Sequence, residues 1–188
     1  YPDHIVVSYV NTSVGVKALT DICCTSSNAL KVVESIPPTI PIIFAPDRNL
    51  GGYIQKLTGR DNMVIWDGAC TVHEEFSLEK ILKLKEQRPE AKIVVHPECK
   101  AFIAEVADYV GSTAGILEYC GKSDATKFTV GYADNGDVNF ISVEKPELAI
   151  GLSGSGDVAL LARLISAEAR GEPYVGQVAV GAVVLNRM

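Results

Sequence analysis

Apolar residues come in short unbroken runs through the first 130 positions, such as IVV at 5–7 and PIIF at 41–44. Continuous apolar runs of this length mark parallel strands covered on both faces. They predict strands over residues 4–10, 21–25, 40–44, 63–66, 92–96, 109–111 and 127–131. Helices are expected between them, over 14–19, 28–35, 50–57, 78–86, 101–107 and 113–121. Strand–helix alternation implies right-handed βαβ units and an α/β fold with layered parallel sheets. Polar residues gather where the predicted strands end, at 9–11, 25–28, 47–49, 67–73, 96–98 and 112–113. In open α/β sheets ligands bind at the carboxyl ends of the strands. Ser13, Ser26 or Ser27, and Ser112 or Thr113 are each placed to cap the helix that follows. At such a position a hydroxyl can equally serve an anionic ligand.

The pattern changes at Tyr132. YADNGDVNFISV, 132–143, reads as a β-hairpin around an Asn-Gly turn. A Pro-, Gly- and Ser-rich stretch follows, including GLSGSGD at 151–157, and reads as a linker. It lacks the Lys-Ser/Thr of a phosphate-binding loop. Beyond it Leu160, Leu161, Leu164 and Ile165 recur at helical spacing, Gly171-Glu172-Pro173 ends that helix, and a second is expected over 174–186. Three segments result: α/β over 1–131, hairpin and linker over 132–156, and a helical tail over 157–188.

Composition narrows the function classes. Apolar residues make up 47% of 188, enough to bury a core. The net charge of −6 argues against non-specific nucleic-acid binding, which needs a basic face. No apolar run is long enough to predict a membrane span. The five cysteines (23, 24, 70, 99 and 120) form no regular disulfide framework, which points to a reducing, cytoplasmic compartment. The chain opens on Tyr with no leader-like segment, and reads as the interior of a longer one.

Two Cys/His pairs stand at strand ends: Cys70-x-x-His73, and His96 with Cys99. Their spacing would suit a Cys₂His₂ zinc site, although an α/β strand end is not the small knuckle that such sites favour. His96-Pro97-Glu98 sets an imidazole and a carboxylate two residues apart around a proline of fixed φ. That is either an acid–base pair or a solvated turn.

SYVNTSVGVKALTDICCTSSNA, FAPDRNLGGYIQKLTG, WDGACTVHEEF, IVVHPEC and ADYVGSTAGIL, in that order, resemble quinolinate synthase over roughly residues 1–130. The resemblance implies a fold of three pseudo-symmetric α/β domains, of which residues 1–74 would be the central one and 75–131 part of the C-terminal one. It implies the substrates iminoaspartate and dihydroxyacetone phosphate, and quinolinate as a precursor of NAD. It also implies a [4Fe–4S] cluster on three cysteines with an open iron position. Cys70 matches one cluster ligand, with His73 a neighbour rather than a ligand. Tyr9, Val10, Asn11, Ser26, His96, Pro97, Glu98 and Thr113 match substrate-site positions. Tyr9, His96 and Glu98 are the implied acid–base groups.

The departures matter as much. The other two cluster cysteines have no counterpart here, so this chain alone is not expected to make quinolinate. It is expected instead to self-associate through exposed domain faces. The tail, LLARLISAEARGEPYVGQVAVGAVVLNRM, resembles the start of a spore cortex-lytic type of cell-wall hydrolase, with Glu168 at the position of the catalytic acid. Two families from different compartments in one chain point to a fused or mis-assembled reading frame. The competing functions are therefore a peptidoglycan-cleaving fragment, or a dicarboxylate- or phosphate-binding module without a cluster.

Overall fold

The computed structural model describes residues 1–134 and 137–144. The tail, Glu168, the linker and the Asn135-Gly136 pair of the hairpin lie outside the described residues. Among the described residues the chain divides into two compact units, Tyr1–Glu74 with Val95–Ile116, and Glu75–Val94 with the described residues from Leu117 on.

The first unit is built on a parallel sheet of β1 (Ile5–Tyr9), β2 (Ile22–Cys24), β3 (Ile42–Phe44) and β4 (Met63–Ile65), in the order β2-β1-β3-β4. Val7 pairs with Ile22 on one side and Phe44 on the other, and Phe44 continues to Ile65. The connection through α1 (Val14–Lys17) leads to one side of β1, and that through α2 (Ala29–Ser35) leads back to the other. The order reverses between β1 and β3, and the crevice outside their carboxyl ends is where this architecture seats ligands. Val7, Ile42 and Phe44 are fully buried against Ala29 and Val33 of α2 and Leu50 and Ile54 of α3 (Arg48–Thr58). After β4 the chain forms α4 (Thr71–Glu75).

Later in the chain come α5 (Leu78–Gln87), β5 (Lys92–Val95), α6 (Ala101–Ala104), β6 (Tyr109–Val110), α7 (Thr113–Lys122), β7 (Lys127–Asp134) and β8 (Asp137–Glu144). The second sheet has the order β6-β5-β7-β8, with β5 and β7 parallel and β7 and β8 antiparallel. In the second unit Phe76 packs on Phe140 with ring centroids 4.6 Å apart and the planes tilted by 37°, and Phe128 is fully buried.

All seven predicted strands and six predicted helices are present, with shifted ends. The strand expected over 127–131 runs on to Asp134, so the hairpin continues that strand and does not start afresh at Tyr132. The helix expected from Leu50 begins at Arg48, because Asp47 caps it by accepting the Leu50 N–H at 2.8 Å. Helix α4 was not foreseen; its single buried apolar residue, Val72, leaves no periodicity to read. Of the expected caps, Ser13 accepts the Val16 N–H and Ser112 accepts the Gly115 N–H, both at 3.3 Å. Neither Ser26 nor Ser27 caps α2. Asn28 holds that position, and its Oδ1 instead accepts the Thr25 N–H at 2.7 Å.

Candidate functional site

The site lies in the first unit, at the carboxyl ends of β3 and β4 and in the turn after β5. Three turns build it. After β3, buried Asp47 holds two amides: Oδ1 accepts from Leu50 and Oδ2 from Cys70, each at 2.8 Å. One carboxylate thus ties the start of α3 to the turn after β4. Cys70 immediately precedes α4 and His73 lies within it, three residues on, so both project from the same helical face. After β5, His96, Pro97 and Glu98 form a turn in which the Glu98 N–H faces His96 Nδ1 at 3.3 Å. Asn49 Nδ2 donates to the Glu98 carbonyl at 3.0 Å and to Glu74 Oε1 at 2.9 Å. Lys100 Nζ donates to the Glu74 carbonyl at 2.7 Å, and Arg48 pairs with Glu74 at 2.8 Å. This polar lattice fixes α4 against the turn after β5.

The result is a compact group. His73 Nδ1 stands 3.3 Å from Glu98 Oε2, and the His73 and His96 rings stack at 4.8 Å with 21° between their planes. The ligand atoms of Cys70, His73 and Glu98 all lie within 4.8 Å of one another. Burial alone would lower the His73 pKa, but hydrogen bonds to Cys70 and Glu98 outweigh it and carry the pKa up to about 9. His96 goes the other way, down to about 4, because burial dominates over the attraction of Glu98. Burial would raise the Glu98 pKa, yet the His73 hydrogen bond and the two imidazoles hold it below the ordinary value. At neutral pH the group is therefore an imidazolium–carboxylate pair beside a neutral imidazole.

Of the residues singled out in the sequence, Cys70, His96 and Glu98 belong to this group. Tyr9, Val10 and Asn11 follow or end β1, Ser26 follows β2, and Thr113 opens α7. The Val10 N–H is committed to the Cys24 carbonyl at 2.8 Å, which leaves its 40%-exposed side chain as the part it can offer. Sequence reasoning missed the central place of His73, and also Asp47. The signal for His73 was its i,i+3 relation to Cys70, legible only if 71–75 is helical.

The Cys₂His₂ arrangement is not what forms. Among the described residues the cluster of metal-capable atoms takes Glu98 where that reading put Cys99 and His96. Burial pushes both Cys99 and Cys24 up to about 12, so they stay thiols at neutral pH. An iron–sulfur cubane is held by several thiolates. The cluster of metal-capable side chains contains one sulfur, so the described residues do not by themselves fit a [4Fe–4S] cluster.

A parallel α/β sheet with its polar group at the carboxyl edge defines an enzyme-like class of fold and site. Residues 1–154 match the model of the quinolinate synthetase A protein family, and the chain belongs to that family. The match runs past Val130, the boundary read from the sequence, and takes in the hairpin; it stops short of Glu168. Quinolinate synthase of Microcystis aeruginosa is 58% identical over 130 residues, covering 69% of this chain and 40% of that protein. The Synechocystis protein of the same name is 54% identical over 131 residues, 70% of this chain and 41% of its own length. That of Nostoc punctiforme is 54% identical over 130 residues, with 69% and 40% covered. The chain thus spans about two fifths of the length of these curated relatives. No helix among the described residues is long and apolar enough to cross a membrane.

Proposed function

We propose that this chain is a portion of a quinolinate synthase, the cytoplasmic enzyme that condenses iminoaspartate with dihydroxyacetone phosphate to quinolinate for NAD biosynthesis. The observation that supports it most is the His73–Glu98–His96 group, built from α4 and the turn after β5. Imine formation and two dehydrations need protons taken from carbon and delivered to departing hydroxyls. Glu98 is the carboxylate that receives a proton, and His73 the imidazolium beside it that returns one. His96, neutral and stacked, is a second acceptor, and Tyr9 a further acid. Asn11, Ser26 and Thr113 are read as donors to substrate carboxylate and phosphate oxygens, with Val10 and Pro97 shaping the pocket wall.

In the whole protein Cys70 is read as one of three thiolates of a [4Fe–4S] cluster. The other two are read as lying outside this chain's five cysteines. Residues 1–74 are assigned to a central domain, 75–131 to part of a C-terminal domain, 132–156 to hairpin and linker, and 157–188 to a tail. Exposed Val14, Leu19 and Trp66 are the side chains through which the chain would self-associate.

The test is binding of quinolinate to the 188-residue chain, followed by NMR of its histidines and by calorimetry. Quinolinate is expected to shift the His73 and His96 ring signals. Asn11→Ala and Thr113→Ala should each weaken binding about tenfold, the value of one charge-assisted hydrogen bond. Unmoved histidine signals at saturating quinolinate would count against the reading. No quinolinate synthesis is expected from this chain alone.

A further inference from the structure

Three consecutive residues after β3 each reach a different part of the site. Asp47 holds the Cys70 amide, the Arg48 N–H donates to the Gly68 carbonyl at 2.8 Å, and Asn49 Nδ2 donates to the Glu98 carbonyl at 3.0 Å and to Glu74 Oε1 at 2.9 Å. We infer that Asp47 and Asn49 are positioning residues: without touching the reacting atoms, they set Cys70, on the turn after β4, against Glu98, on the turn after β5. This role deepens the proposed reaction and rests on it only for what the site does.

Asp47 does more than cap a helix. A cap needs one oxygen, on the N–H three residues along, and Ser, Thr or Asn supplies it as well as Asp. Here Oδ1 takes the Leu50 N–H, and Oδ2 takes the N–H of Cys70, 23 residues away, each at 2.8 Å. Among the usual capping side chains only a carboxylate offers two acceptor oxygens and no donor. Asp47 is 2% exposed, so water does not replace a lost partner. The Cys70 carbonyl in turn accepts the Glu74 N–H at 3.0 Å. The main chain of Cys70 is therefore held on both sides, and the direction of its thiol is set by backbone rather than by side-chain packing.

Asn49 is the complement. Its side-chain nitrogen carries two hydrogens and meets two acceptors, the Glu98 carbonyl and Glu74. A carboxylate in its place would face both with like partial charge. Asp47 caps α3 and Asn49 is its second residue, so one helical turn holds both the cysteine and the glutamate. That turn is anchored in turn, because Leu50 and Ile54 of the same helix are 1% exposed in the core. The Arg48 side chain has no such part. It is 42% exposed, and its pairs with Asp67 and Glu74 are worth little.

The experiment exchanges donors and acceptors in the full 188-residue chain, read by NMR. Asp47→Ser keeps an oxygen for the α3 cap and gives up the bond to Cys70; Asp47→Asn keeps the shape and turns a donor toward one of the two amides. In Asp47→Ser hydrogen exchange at Cys70 should speed at least about tenfold relative to exchange at Leu50, whose cap remains. Global destabilisation would speed both amides together. Asn49→Asp should shift the Cys99 amide nitrogen, which shares a peptide group with the Glu98 carbonyl. Asp47→Asn and Asn49→Asp should each weaken quinolinate binding about tenfold, and Arg48→Gln by less than about fivefold. A coupling through the hydrogen bond, from the Cys70 amide nitrogen to the Asp47 carboxyl carbon, gives the same answer on the unaltered chain if a variant fails to fold. The positioning role is overturned if Cys70 and Leu50 speed together in Asp47→Ser, if neither changes, if Asn49→Asp leaves the Cys99 signal in place, or if that coupling is absent. An unaltered chain that binds no quinolinate would strike the proposed reaction alone, since the exchange, shift and coupling measurements need no ligand.

Discussion

His73 and His96 are two imidazoles in stacking contact, and the surroundings split them. Two cations cannot share that stack cheaply, so one ring takes the proton. His73 takes it because Glu98 Oε2 is 3.3 Å from its Nδ1, against 3.9 Å for His96, and because Cys70 adds a second acceptor. NMR titration of the two rings should find His73 protonated up to about pH 9 and His96 neutral down to about pH 4. In Glu98→Gln the His73 midpoint should fall toward its ordinary 6.5, the larger movement of the two. Two midpoints both near 6.5 in the unaltered chain would refute this account. The sequence made Cys70, His96 and Glu98 visible because each lies in a motif at a strand end. His73 was visible as a residue but not as the hub, since its partners come from 25 positions away and from a helix with no apolar rhythm.

At the scale of elements, helix ends are held by single side chains placed far along the chain. Arg60, just past the left-handed Gly59 that ends α3 (φ 66°), reaches back to the end of α2. Its Nη1 donates to the carbonyls of Val33 at 2.9 Å and Ile36 at 3.1 Å, and its Nη2 to those of Pro37 and Ile40. A positive group on a helix carboxyl end satisfies orphan carbonyls and complements the dipole. Arg60→Ala should cost about 2–3 kcal/mol, since several part-buried carbonyls lose their donor. Arg60→Lys should recover little of it, because one ammonium cannot span the fork. Urea denaturation checks both; a loss under about 0.5 kcal/mol in Arg60→Ala would refute the clamp. Packing of α3 on the sheet is as exacting. A Cβ on Gly51 would meet Ile65 Cγ2 at 2.8 Å and Phe44 Cδ1 at 3.0 Å. Gly51→Ala should therefore destabilise by about 1–3 kcal/mol despite its better helix propensity, read from the same urea curves. Neither effect is legible locally, because Gly-Gly in a helix and Arg after Gly say nothing of what stands opposite.

Over the whole molecule, the strand and helix sequence was legible because buried parallel strands write themselves as unbroken apolar runs. Strand neighbours were not. IVVSY and PIIF read alike, and only the structure sets β1 at the centre of one sheet and β5 beside β7 in the other. The same holds for the coupling between ionisation and stability, which depends on partners brought together by the fold. His73 has a folded pKa raised to about 9, so its contribution is complete below 6.5 and is lost as pH rises through 9. His96, lowered to about 4, acts at the other end. Between 6.5 and 4 the unfolded chain takes up a proton that the folded one refuses, so stability falls as pH falls. Glu98, also lowered, adds to the acid-side loss. The two buried thiols near 12 add to the alkaline loss, because the unfolded chain ionises them first. Stability should therefore peak near pH 6.5, fall as pH rises from there to about 9 through His73 and beyond it through the thiols, and fall on the acid side through His96 and Glu98. To isolate His73 from the thiols, urea midpoints of the native chain and of His73→Gln should be compared from acid to alkaline pH. The gap between them should be constant below about 6.5, shrink as pH rises from there to about 9, and level off above it. A gap that stays level across that range would mean that His73 is not the proton holder of the site, and that the stacked pair divides its charge in some other way.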